Sequence, residues 1–167
     1  YQVEVALLKD EVTLTIDCTG LGLNKRGYRP LVATAPIRET LGAALVMLSF
    51  WKSGRPLLDP FCGSGTIPIE AAMIARRIAP GLKRRFVCET WPQFAPELFT
   101  KSREMAEGRI LPNIRPKIVA SDIDNDALLQ ARHHAELAGV TDDIHFQRED
   151  FTQLSDQKEY GCIITNP

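Results

Sequence analysis

The 167-residue sequence has almost no net charge: 20 Lys and Arg stand against 21 Asp and Glu, a formal balance of −1. That argues against a segment built mainly as an electrostatic clamp on nucleic acid, which needs a surplus of cations facing phosphates. Long apolar runs are also missing. The longest, near Leu41–Trp51, is interrupted by Gly42 and Ser49 and falls short of the roughly 18–20 residues of a membrane span. Cysteines are few and scattered, at 18, 62, 88 and 162. They form no CxxC pair and no metal-ligand spacing with His133, His134 or His145, which excludes a small disulfide scaffold and points to a reduced, cytoplasmic protein without a metal. No basic-then-apolar leader opens the chain. It starts without Met and stops at Thr165-Asn166-Pro167, so it reads as a segment of a longer protein. With 44% hydrophobic and 25% charged residues, it has the makings of one compact core rather than a disordered chain.

What is present falls into two textures. Gln2–Leu7 and Val12–Asp17 alternate apolar and polar around Lys9-Asp10-Glu11, the pattern of a β-hairpin. Residues Cys18–Pro30 carry three glycines and a proline and read as a connector. A lone two-stranded hairpin is marginal in water, so it either docks on the core or belongs to a region upstream. From Pro36 the period becomes helical, with Ile37, Leu41, Ala44, Leu45 and Leu48 as the apolar stripe. Strands are expected at Arg55–Asp59, Lys117–Ser121, Ile144–Gln147 and Tyr160–Thr165. Helices are expected through Ile69–Ile78, over Pro96–Gly108 within a proline-punctuated insert, and over Asp124–Ala138, closed by Gly139. Strands alternating with helices imply an α/β fold whose parallel sheet is covered on both faces. Ligands of such sheets sit at the carboxyl ends of the strands.

The strongest chemical signal is Asp59-Pro60-Phe61-Cys62-Gly63-Ser64-Gly65-Thr66, after a strand and opening a helix. Gly63 and Gly65 permit a sharp turn and close approach of a ligand, and the helix start offers free N–H groups. A phosphate loop of the Walker type is excluded because no lysine is present. A nicotinamide fingerprint is excluded because Pro68 holds the place of its third glycine. Asp122, in Ser121-Asp122-Ile123-Asp124 at the end of the next strand, is placed to accept hydrogen bonds from ribose hydroxyls; Asp124 can instead cap the following helix. Asp150 and Phe151, after the third strand, suit an exocyclic amine and the face of an adenine. Asn166-Pro167 closes the last strand. The histidines, two on a surface helix and one on a strand, are given no catalytic role. Cys62 lacks a histidine partner and is not a nucleophile. Lys25-Arg26, Tyr28-Arg29 and Lys83-Arg84-Arg85 are candidates for phosphate contact.

In this order, DPFCGSGT, SDID, EDF and NP resemble the class I, S-adenosylmethionine-dependent methyltransferases that act on amino groups. Their catalytic loop reads Asn/Asp-Pro-Pro-Tyr/Phe; only its first two residues fall inside this chain. The resemblance implies a Rossmann-like, doubly wound sheet, of which this chain holds the front half with four strands. It implies S-adenosyl-L-methionine as cofactor, leaving as S-adenosyl-L-homocysteine, with no metal. It assigns cofactor binding to Pro36, Ile37, Asp59, Pro60, Phe61, Cys62, Gly63, Ser64, Gly65, Thr66, Asp122, Ile123, Asp124, Asp150, Phe151 and Asn166, and catalysis to Asn166 and Pro167.

More narrowly, Leu23–Arg29, Ala35–Leu41, Glu89–Phe94 and the motifs above resemble the RlmL/YpsC branch of THUMP-domain methyltransferases, which make N2-methylguanine in 23S rRNA. Residues 1–28 would then be a hairpin and linker from an upstream THUMP-type region, and 29–167 the first part of the methyltransferase domain. The expected partner is rRNA, naked or in an assembly intermediate, with no membrane. An adenine-N6 DNA methyltransferase shares the catalytic loop and is the alternative; a non-catalytic RNA-binding module is the third reading. The resemblance also places the strand ending at Thr165 beside the strand ending at Asp59.

Overall fold

The structure, a computed structural model, describes residues 1–30, 37–154 and 160–167. Strands β1 (Gln2–Leu8) and β2 (Glu11–Asp17) form the expected antiparallel hairpin. Its two-residue turn places Lys9 and Asp10 at φ 48° and 63°, the left-handed turn that matches strand twist. The register sets Val3, Val5 and Leu7 opposite Ile16, Leu14 and Val12. All six therefore share one face, and they are 54–72% exposed. The open end of the hairpin rests on the insert. The Tyr1 ring lies 4.7 Å from Trp91, its hydroxyl donates to Gln93 Oε1 at 2.7 Å, and the Cys88 N–H donates to the Cys18 carbonyl.

The second sheet is parallel throughout. It comprises β3 (Leu57–Asp59), β4 (Ile118–Asp122), β5 (Ile144–Arg148) and β6 (Cys162–Ile163), in the order β5-β4-β3-β6. As expected, β6 lies beside β3. The order reverses between β3 and β6, which creates the crevice where α/β sheets take ligands. Four helices accompany the strands: α1 (Glu39–Leu48), α2 (Thr66–Arg76), α3 (Pro96–Glu107) and α4 (Asn125–Ala138). Asp124 caps α4 and Gly139, at φ 75°, ends it. Helix α2 starts three residues before the expected Ile69, because Gly65 at φ 84° turns the chain directly into it.

Among the described residues the crossover helices share one face of the parallel sheet. Parallel crossovers are right-handed, so α2 and α4, leading from β3 to β4 and from β4 to β5, lie on one face and touch each other. In the register across the sheet, Leu58, Val119, His145 and Ile163 form the row facing the other way, and Ile163 is 71% exposed. The buried face of α1 differs from the expected stripe. It is Glu39, Gly42, Ala43 and Val46, while Leu41 and Leu48 are exposed. Close packing decides this: a Cβ on Gly42 would stand 3.1 Å from Thr66 Cγ2, so small residues let α1 settle onto α2.

Several basic residues of the connector and insert are engaged within the protein, while Lys25, Lys83 and Arg85 are exposed. Arg26 Nε pairs with Glu70 Oε1 at 2.8 Å, and Arg29 lies 3.6 Å from Glu39. The Tyr28 hydroxyl donates to Glu70 Oε1 at 2.8 Å. Burial and then the Glu70 charge push the Tyr28 pKa up, so it remains a donor. Lys83 donates to the Leu137 carbonyl. Arg84, buried, donates to the carbonyls of Thr19, Leu21, Gly22 and Lys25. It thereby ties the connector to the core, as a guanidinium fork satisfying four carbonyls that lack a strand or helix partner. Arg84→Ala is expected to destabilise the intact protein by about 3 kcal/mol, because it removes a buried guanidinium and the hydrogen bonds it makes to four connector carbonyls. Arg84→Lys should recover little, since one ammonium cannot reproduce the fork. Denaturant unfolding and amide exchange over residues 18–25 measure both; unchanged exchange in Arg84→Ala would contradict the assignment.

Candidate functional site

The turn between β3 and α2 is fixed from every side. Asp59 ends β3 and is buried. Its Oδ1 accepts from the Phe61 N–H at 3.3 Å. Burial pushes its carboxyl up to about 6, with the charge of Asp122 adding to the rise. Cys62 N–H donates to the Ser121 carbonyl at 3.0 Å, and Gly65 N–H to the Cys62 carbonyl at 2.8 Å. Gly63 N–H donates to Asp122 Oδ2 at 2.8 Å. The two glycines serve different ends. At Gly65 a Cβ would stand 3.0 Å from Ala131 Cβ, so its absence lets α4 approach; at Gly63 a Cβ would meet nothing within 4 Å, so its absence leaves open space. Cys62 is buried, and burial followed by the Asp59 charge pushes its thiol up, consistent with a packing residue. Pro68 is the third residue of α2, where its missing N–H would have had no helical partner anyway.

Asp122, at the end of β4, bridges two elements: Oδ2 takes the Gly63 N–H and Oδ1 takes the Asp124 N–H at 3.0 Å. Asp124 itself caps α4, accepting from the Asp126 N–H at 2.8 Å, so the capping role is the one this structure displays. Among the described residues neither Asp59 nor Asp122 has an ion-pair partner. An open cleft of about 610 Å³, lined by Ile123, Gln147, Arg148, Glu149, Asp150 and Gln153, begins at the residue that follows Asp122. Asp150 accepts from the Thr152 N–H and hydroxyl at 2.9 and 2.8 Å, and these bonds hold its pKa below the usual carboxylate range. Phe61 and Phe151 meet with ring centroids 5.0 Å apart. The sequence pattern places them on different loops; the fold joins them into one half-exposed aromatic pair.

Asn166 and Pro167 are exposed and follow β6; just past that strand the Ile164 N–H donates to the Leu58 carbonyl of β3 at 3.1 Å. They therefore leave the sheet on the strand neighbouring the one that ends in Asp59. Ile37 lies just ahead of α1, its carbonyl accepting from Arg29 at 3.0 Å; Pro36 lies outside the described residues. His134 is not on the surface as expected. It is fully buried, with Nδ1 3.1 Å from the Ser64 carbonyl. Glu70, buried in α2 with Arg26 and Tyr28 on its carboxylate, also escaped the sequence reading. The signal for both was position: each falls on the inward face of an amphipathic helix, three residues from a buried small or apolar residue.

A glycine turn after the first strand of a parallel sheet, with an acid on that strand and another on its neighbour, is the arrangement of class I methyltransferases. The chain belongs to the "RMKL-like, methyltransferase domain" family, which matches residues 26–167. It is 46% identical over its full length to YpsC of Bacillus subtilis (strain 168), provisionally named an RNA methyltransferase, and covers 43% of that protein. It is 41% identical to "Ribosomal RNA large subunit methyltransferase K/L" of Vibrio campbellii, with 99% of this chain aligned to 24% of that one. Among solved structures, SMU.472, provisionally a methyltransferase and crystallised with SAH, superimposes with a TM-score of 0.92 at 39% identity over 99% of this chain and 43% of its own. The chain thus spans less than half the length of these relatives.

Proposed function

We propose that this chain carries the S-adenosylmethionine site and the catalytic Asn166-Pro167 of an RNA methyltransferase, acting in the cytoplasm on N2 of a guanine in large-subunit rRNA. Residues 1–28 then lead in from an upstream THUMP-type region and residues 29–167 begin the methyltransferase domain. The observation that carries the reading is the pair of carboxylates, Asp59 and Asp122, flanking the Gly63–Gly65 turn at the reversal of strand order. Two acids without a cation, one buried and pushed up to about 6, suit a ligand that brings its own ammonium group at one end and ribose hydroxyls at the other. S-adenosylmethionine has both. The names of the relatives, which include an rRNA methyltransferase, support RNA as the acceptor.

When bound, S-adenosylmethionine supplies a methyl group on a sulfonium. Asp59 pairs with the ammonium of its amino-acid part. Asp122 accepts from the ribose hydroxyls while keeping Gly63 in place. Ile123 and Asp150 line the cleft for the adenine, and Phe151, paired with Phe61, offers an aromatic face. Asn166 Oδ1 and the Pro167 carbonyl accept the two hydrogens of the acceptor amine, holding its lone pair in line with the methyl. Such positioning lowers barriers by several kcal/mol, up to about 7–11 in ideal cases. No strong base would be required: the methylated nitrogen, positive once the carbon–sulfur bond has broken with its electron pair left on sulfur, is acidic enough to lose its proton to water.

The test has two stages. S-adenosylhomocysteine titrated calorimetrically into the intact protein should bind one to one. Asp122→Ala should weaken it at least tenfold, the loss of one or two charge-assisted hydrogen bonds of roughly 1.5–3 kcal/mol each. Methyl transfer is then compared on protein-free large-subunit rRNA and duplex DNA, with the modified nucleoside identified. N2-methylguanosine from RNA is the expected product. N6-methyladenine from DNA would replace the acceptor, and a folded protein that binds no S-adenosylhomocysteine would leave a non-catalytic RNA-binding module.

A further inference from the structure

We propose that His134 is a positioning residue for the cofactor turn: its Nδ1–H holds the Ser64 carbonyl inward and stops the Ser64–Gly65 peptide from rotating into the cofactor site. This rests on the cofactor reading above and adds to it a residue that no motif contains. His134 is completely buried in α4, and Nδ1 lies 3.1 Å from the Ser64 carbonyl oxygen. A carbonyl only accepts, so the proton sits on Nδ1 and Nε2 is the bare nitrogen. Nε2 has no hydrogen-bond partner among the described residues. Burial holds the ring neutral by lowering its pKa.

The need for such a clamp comes from Gly65. The Ser64–Gly65 peptide turns about the Ser64 ψ and the Gly65 φ, and Gly65, at φ 84°, rotates with little steric resistance. A peptide with one soft joint can turn over, and a reversed Ser64 carbonyl would present an acceptor to the carboxylate end of the cofactor. Here both ends of that peptide are tied: its N–H to the Cys62 carbonyl and its carbonyl to His134. Helix α4 is close enough to act because Gly65 has no Cβ to hold Ala131 away.

Three variants of the intact protein separate this role from packing. His134→Phe keeps the ring volume and removes the donor. His134→Asn places an amide N–H where Nδ1 stands but leaves a cavity. His134→Ala removes both. Calorimetry with S-adenosylhomocysteine and thermal melting without ligand are measured on each. If the proposal holds, affinity follows the donor: Phe and Ala bind about tenfold or more weakly, the loss of one hydrogen bond and the order it imposes, while Asn binds within about threefold of wild type despite melting lower. Affinity that falls in step with melting temperature across the series overturns it. Amide exchange of residues 62–66 without ligand gives a readout independent of the cofactor. Faster exchange in Phe but not in Asn supports the clamp, and equal exchange in all three overturns it. Failure of the wild type to bind S-adenosylhomocysteine would instead overturn the cofactor reading, leaving the exchange comparison to decide whether His134 orders the turn.

Discussion

Asp59→Asn is expected to stabilise the ligand-free protein above pH 6 and to weaken binding of S-adenosylhomocysteine at least a hundredfold. Asp59 is buried, with the Phe61 N–H on its Oδ1 and Asp122 adding negative charge nearby. Its carboxyl is pushed from 3.8 up to about 6. A folded-state pKa above the unfolded one means the folded chain prefers the proton. No penalty applies below the unfolded value near 4; it grows as pH rises and is complete above about 6. At 1.36 kcal/mol per pH unit the full penalty is roughly 3 kcal/mol. Asparagine keeps the carbonyl oxygen that Phe61 uses and has no charge to bury. The difference in unfolding free energy between variant and wild type should therefore be near zero at pH 4 and level off above pH 6, at roughly 1–3 kcal/mol in favour of Asn. Binding runs the other way. A ligand ammonium needs the carboxylate, so wild-type affinity should fall about tenfold per pH unit below pH 6, and Asn should bind at least a hundredfold more weakly at pH 7.5. Chemical denaturation and calorimetry from pH 4 to 8 measure both. A stability difference that does not change with pH would contradict the burial of a charged Asp59, and retained affinity in Asn would remove it from the cofactor site.

The hairpin, the four parallel strands, the four helices and the glycine turn were legible in the sequence because each is set by local pattern. Period-two and period-3.6 hydrophobicity mark the elements, and Gly65 and Gly139 sit where left-handed backbone is required. The adjacency of β6 and β3 came from the resemblance, not from any local pattern. What was not legible depends on partners distant in sequence. The exposed Leu41 and Leu48 of α1 look like core until Gly42 is seen against Thr66. Arg26, Arg29 and Arg84 look like a basic surface until their carboxylates and carbonyls appear. His134, next to the exposed His133, looks solvated until α4 is docked on the turn. In all three cases hydrophobicity assigns the side chain to the wrong medium, because complementary shape or a specific hydrogen bond outweighs its average preference.

Asn166→Ala should lower the rate of methyl transfer about a thousandfold while changing affinity for S-adenosylhomocysteine only a few-fold. Asn166 leaves β6 next to the strand that ends in Asp59 and is exposed, so its amide projects from the sheet end without being consumed by the core. An acceptor aimed at the hydrogens of the amine gains strength as positive charge develops on nitrogen. It is therefore worth more in the transition state than in the ground state, and its removal appears in kcat rather than in binding. Losing one such preorganised group costs about 10²–10³ in rate. Asn166→Asp keeps an acceptor oxygen in the same place, and the catalytic loops this chain resembles use either residue. It should hold at least about tenfold more activity than Ala. Single-turnover methyl transfer at saturating S-adenosylmethionine, paired with calorimetry, checks the split. If affinity fell in step with rate in Asn166→Ala, the side chain would belong to the cofactor contacts, and the Pro167 carbonyl would be left as the acceptor that orients the amine.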